Sequence, residues 1–152
     1  MSASTAPGVK QALIDLLEDR PALEGVTIQW AGPSNTDEVK PKMIWFGKTV
    51  RDSEWSGLGA KSAGRRPPRR EEYTVKVIVY RYLEGNVPKQ CEQDCEDLVT
   101  EIEDAIYGDV TLGGLLAEWA EVKRVETETM VANESGWNSE AVLDVRCTAK
   151  RT

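Results

Sequence analysis

Near the N-terminus Val9, Ala12, Leu13, Leu16 and Leu17 recur at the spacing of one helix face. The pattern predicts an amphipathic helix over roughly residues 7–19, with Ser4 or Thr5 ahead of it and Pro7 at its first position. DRPALEG breaks that helix at Pro21. GVTIQWAGP then reads as a short strand ended by Gly32-Pro33, and PKMIWFGK as a second strand with a continuous apolar run. EEYTVKVIVYRYLEG alternates most clearly. Tyr73, Val75, Val77 and Val79 share one face, while Thr74, Lys76, Ile78, Tyr80 and Tyr82 share the other. The second face is itself rather apolar, which predicts cover from a neighbouring subunit. Gly85-Asn86 ends the strand, with Asn86 placed to cap a second helix and Pro88 in its first turn. Along that helix Cys91, Cys95, Leu98, Val99, Ile102, Ala105 and Ile106 form one stripe, and Gly108 stops it.

LLAEWAEVKRVETETMVAN predicts one long strand, bulged near Val122 where its alternation slips. ESGW makes a turn. SEAVLDVRCTAKR closes the chain as a strand with Ala141, Leu143, Val145, Cys147 and Ala149 inward. Between Thr49 and Arg70 no period is visible, and Gly57, Gly59, Gly64, Pro67 and Pro68 are scattered through the stretch. It predicts a loop of about 20 residues, longer than compact domains usually carry without a function. The expected fold is a single α+β domain over residues 1–152. It has a mainly antiparallel sheet of about four to five strands, two helices packed on one face, and the long loop between the second and third strands.

Composition narrows the chemistry. The chain has 152 residues, 40% hydrophobic and 30% charged, which is ordinary for a soluble globular domain. No apolar run approaches the ~20 residues that a membrane helix needs, and MSASTAPGVK lacks the pattern of a secretory signal. Three cysteines, an odd number, fit a reducing compartment better than a disulfide framework. There is no histidine, so the commonest general base and the commonest metal ligand are both missing. A net charge of −7 argues against nucleic-acid binding by the whole surface.

Few motifs carry chemistry. Cys91 and Cys95 lie one helical turn apart, yet a closed zinc site needs four ligands and only Cys147 remains. Their place on the apolar stripe predicts packing. GLGAKSAG fails as a phosphate loop, because Ala60 stands where glycine must precede the lysine and Arg-Pro-Pro follows where a helix should begin. No catalytic, metal or cofactor residue emerges. What stands out is charge. The second helix carries Glu92, Asp94, Glu96, Asp97, Glu101, Glu103 and Asp104 with no basic residue between Cys91 and Ile106. Such like charges repel. Ten residues of the long loop hold Lys61, Arg65, Arg66, Arg69 and Arg70, and Pro67-Pro68 favours an extended form that projects them. The expectation is that this arm reaches the acidic helix of the next copy, touching Glu92, Glu96, Asp97 and Glu103, and that repetition closes a ring. Trp30, Trp45 and Trp119 are expected in the core. Trp55 in the loop and Trp137 at a turn are candidates for an interface.

The order of these segments resembles the tail terminator (tail completion, gpU-like) proteins of long-tailed bacteriophages. The likeness runs through the GV.I strand, the Pro-Lys strand, the long loop, EYTVKVIV and the acidic helix. It ends with GDVTLGG (Gly108–Gly114) and AVLDVRCTA, and covers nearly the whole chain. The resemblance implies a virion protein, assembled in the host cytoplasm, that forms a ring, typically of six copies, at the head-proximal end of the tail tube. There it would stop tube polymerisation and offer the head-joining surface. The implied partners are further copies of itself, the tail tube protein and the head–tail connector or neck proteins, with no cofactor and no membrane. Two other readings fit the same residues: a head-completion or adaptor protein of the neck, and a ring protein contacting DNA through Arg65–Arg70.

Overall fold

The computed structural model describes residues 6–33, 39–55, 69–112 and 120–151; of residues 52–55, 69–71 and 149–151 it describes the backbone alone. Helix α1 spans Ala6–Glu18 and is followed by one 3-10 turn over Pro21–Leu23. The strands are β1 (Thr27–Gln29), β2 (Lys42–Trp55), β3 (Arg69–Glu84), β4 (Ala120–Asn133) and β5 (Gly136–Arg151), with helix α2 (Pro88–Gly108) between β3 and β4. They form one sheet in the order β1-β2-β3-β5-β4. Every neighbouring pair is antiparallel except β1 with β2. The architecture is α+β, with two helices and a five-stranded, mostly antiparallel sheet.

Both helices bury their apolar stripes on the same sheet face. Val9, Leu13, Ile14 and Leu17 of α1 are buried, as are all seven stripe residues of α2 from Cys91 to Ile106. All of these but Cys91 meet Ile44, Phe46, Tyr73, Val75, Val77, Val79, Ala141, Leu143, Val145 and Cys147 in one core cluster. Helix and sheet periods converge here because both elements must remove a stripe from water at once. Among the described residues no helix is long and apolar enough to cross a membrane.

Several expectations need correction. Residues 49–55 and 69–70, read as loop, are strand. Thr49 pairs with Val75, Arg51 with Tyr73 and Trp55 with Arg69, so β2 and β3 make one long hairpin ladder. The sequence there lacks alternation because β2 lies near the sheet edge, where Lys48, Thr49, Val50 and Arg51 are exposed and burial selects little. Asn86 does not cap α2; Val87 takes the N-cap position and no side chain caps it. Trp30 falls beyond β1 and is 44% exposed, with the Lys10 ammonium 4.5 Å from its ring centroid. The bulge near Val122 is present between Val122 and Arg124, and a second irregularity lies between Val131 and Asn133. Of the GDVTLGG piece, residues 108–112 are described: the Leu112 N–H donates to the Asp109 carbonyl at 3.0 Å, with Leu112 itself at φ 51° and buried.

Candidate assembly surfaces

The acidic helix satisfies more of its own charge than its sequence indicates. Asp94 meets Arg81 of β3 at 3.3 Å, and Glu101 meets Arg20, beyond the end of α1, at 3.0 Å. Glu92 accepts from the Thr129 hydroxyl at 2.9 Å, and Glu96 accepts from Thr127. Asp97 accepts from Gln93 at 3.1 Å. Strand β4 makes this possible: in VETETM the threonines turn towards α2 while Glu126 and Glu128 turn away, as a period of two requires. Thr129 also shares a hydrogen bond of 2.6 Å with Ser139, which is fully buried on β5. Each hydroxyl thus gives a helix carboxylate a partner without adding charge. Glu103 and Asp104 keep no partner among the described residues. The long-range pairings were invisible to a scan of helix spacing because the cations come from β3 and from the turn after α1.

Of the basic arm, Lys61, Arg65 and Arg66 lie outside the described residues. Arg69 and Arg70 begin β3. Arg69 stands opposite Trp55 on one side and Arg151 on the other; Arg70 stands opposite Glu54 and Lys150. The fold therefore adds Lys150 and Arg151 to the basic group, two residues that sequence reasoning missed because they sit eighty positions away. Trp119 is outside the described residues. Trp137 is half-buried at the start of β5, and its carbonyl accepts from Cys91 Sγ at 3.5 Å.

The sheet face away from the helices carries no helix among the described residues. Trp45 and Tyr80 pack with ring centroids 6.3 Å apart, and Ile78, Tyr82 and Val142 are likewise half-buried. Burial raises the Tyr80 hydroxyl pKa against the opposing effect of a hydrogen bond with Asn138. Beside this apolar centre runs an open groove of about 580 Å³ on β4 and β5, between Glu126, Glu128 and Met130 and Asn138, Glu140 and Val142. Lys76 and Asp144 pair at 2.5 Å across β3 and β5, and Arg146 pairs with Glu72 at 2.7 Å.

All three cysteines are buried and free. Burial pushes the Cys95 and Cys147 thiols up to about 12, so neither is a thiolate nucleophile near neutrality. The Cys95 Sγ lies 3.9 Å from the Val79 carbonyl, which is packing. Among the described residues no three His, Cys, Asp or Glu side chains gather as metal ligands. Comparison with protein-family models and with curated proteins finds no match for the chain.

Proposed function

We propose that this chain is a structural assembly protein of the tail-terminator kind, a virion component that acts as a ring of identical copies at the end of a tail tube. The observation that carries the reading is the helix-free sheet face. Its centre, built from Trp45, Ile78, Tyr80 and Val142, is apolar and half-buried with no helix over it among the described residues. A two-layer fold that leaves such a face uncovered gains by covering it with another chain. The sequence resemblance supplies the biological setting: one surface of the ring recognises the last tube layer, and the other refuses a further layer and receives the neck proteins. The arm from Lys61 to Arg70 contributes through its cations, with Glu103 and Asp104 of α2 as the carboxylates still open to it.

Native mass spectrometry of the protein, alone and with tail tubes, tests this. The expected result is a single closed species of several copies, six by the resemblance, and tubes capped at one end. Replacing Arg65, Arg66, Arg69 and Arg70 with alanine is expected to leave the monomer folded and to weaken the ring. A protein that stays monomeric at every concentration and ignores tubes would overturn the reading. A second reading is favoured by the two adjacent basic rungs, Arg69 with Arg151 and Arg70 with Lys150. Like charges directly opposed on neighbouring strands are unfavourable; Glu54 stands opposite Arg70 on β2, and duplex DNA passing through the ring would offer a counter-charge to the rung of Arg69 and Arg151. Duplex binding that weakens steeply with salt would support it.

A further inference from the structure

On the helix-free face the ladders line up rungs across β3, β5 and β4. Ile78 stands opposite Val142, and Val142 opposite Glu126; Tyr80 stands opposite Glu140, and Glu140 opposite Glu128. The next rung is Tyr82, Asn138 and Met130. The β3 side is therefore apolar and aromatic, and Trp45 of β2 extends it against Tyr80. The β4 side is acidic. The groove on β4 and β5 runs along this boundary, with Glu126, Glu128 and Glu140 exposed in its walls.

Glu128 and Glu140 face each other directly, which like charges do at a cost. Neither has an ion-pair partner among the described residues, whereas Glu126 pairs with Arg124. A cation between the two would remove that cost, and a guanidinium fork can do so while stacking on a neighbouring ring. Aromatic-lined grooves, in turn, take extended proline segments. The groove thus suits a segment that carries both arginine and proline. This chain holds one, KSAGRRPP (Lys61–Pro68), outside the described residues.

Reach decides which copy supplies it. Arg69 is fixed in the ladder between Trp55 and Arg151, so the Arg65 Cα lies at most about 14 Å from that rung, at ~3.5 Å per residue. The groove begins at the rung of Ile78, about 30 Å further along β3 at ~3.3 Å per residue. Even a fully extended side chain leaves the gap open, and a copy's own Arg65 and Arg66 fall short. We propose that Lys61–Pro68 of one copy lies in the groove of the next, with Arg65 and Arg66 meeting Glu128 and Glu140 and Pro67-Pro68 against Tyr80. Charge alone would equally admit Glu103 and Asp104 of α2; the aromatic row favours the sheet face. This inference rests on the ring reading and names what covers its helix-free face.

A labelled peptide of residues 61–70, KSAGRRPPRR, tests it. The peptide is titrated by fluorescence anisotropy into the full chain carrying Arg65→Ala and Arg66→Ala, so that no internal arm competes. Saturable binding is expected. Glu128→Lys with Glu140→Lys should weaken it about tenfold or more, and glycine in place of the peptide's prolines should weaken it severalfold; circular dichroism checks that each protein is folded. Loss of binding on Glu103→Lys with Asp104→Lys, while the Glu128→Lys, Glu140→Lys protein binds as before, assigns the arm to α2 and overturns the proposal. So does a proline-free peptide that binds equally well. A peptide that binds neither protein, with the parent assembled in native mass spectrometry, overturns the groove contact and leaves the ring reading intact. A monomeric parent overturns the ring itself, whatever the peptide does.

Discussion

Gly136 opens β5 at the place where three strands end together. A methyl group on its Cα would lie 2.4 Å from the Leu83 carbonyl oxygen and 2.7 Å from the Tyr82 hydroxyl. The tyrosine ring can swing away, but the carbonyl cannot. It belongs to the β3–β5 ladder, in which Leu83 faces Trp137 and Glu84 faces Gly136, and the neighbouring Gly85 N–H donates to the Ser135 carbonyl at 2.7 Å. Gly136→Ala must therefore separate two paired strands. Forcing a methylene into a packed site costs about 1–3 kcal/mol when side chains can yield, so a backbone obstacle puts this substitution at about 3 kcal/mol. At about 2–4 °C per kcal/mol for a domain of this size, Tm should fall by about 6–12 °C. Gly108 is the control. It ends α2 with open space around it and no positive φ, so Gly108→Ala should be neutral or add up to about 1 kcal/mol by restricting the unfolded chain. Urea titrations of the three proteins read both effects as midpoint shifts at constant slope. A Gly136→Ala protein within 0.5 kcal/mol of the parent would refute the claim that the ladder is rigid there. The consequence spreads beyond the turn, because loosening it frays β4, the last strand of the sheet.

The pair between Arg81 and Asp94 should matter more than the surface pairs. Its side chains are 13% and 27% exposed, and Arg81 also donates to the Tyr82 carbonyl at 3.1 Å. Arg81→Met is expected to lower unfolding free energy by about 1–3 kcal/mol by leaving Asp94 only the Gln90 amide, 2.7 Å away, as a partner. Lys123→Met breaks a pair with Glu121 that is 55% and 36% exposed and should cost under about 1 kcal/mol; equal effects in denaturant melts would contradict this ranking. The buried thiols predict a pH dependence. In the folded chain Cys95 and Cys147 stay protonated up to about 12, whereas unfolded cysteine ionises near ~8.5. Their contribution is complete below the unfolded value and is lost as pH rises towards 12, since the unfolded state then binds fewer protons. Native protein should also resist a thiol reagent at pH 8 until denaturant is added; rapid labelling of these two cysteines without unfolding would show that burial does not control them.

Where burial is two-sided or strictly periodic, local sequence sufficed. The α2 stripe from Cys91 to Ile106 and the inward β3 set from Tyr73 to Val79 were legible because a helix or strand face must match its own period to leave water. The same logic located the β4 bulge, since an extra residue shifts the alternation. The outer half of β2 was not legible. TVRDSEW has no apolar rhythm, and only its ladder to β3 makes it strand. The acidic helix shows the limit from the other side. Its charge was plain, but Arg81, Arg20, Thr127 and Thr129 reach it only through the fold. Trp30 misled because a tryptophan in a strand-like run looks like core, while the strand stops one residue earlier. By itself the chain determined its layers and which faces turn inward, because those follow from spacing along a few residues. Tertiary structure alone decided strand order and the partners of the charges, because each depends on contacts between residues far apart in the chain.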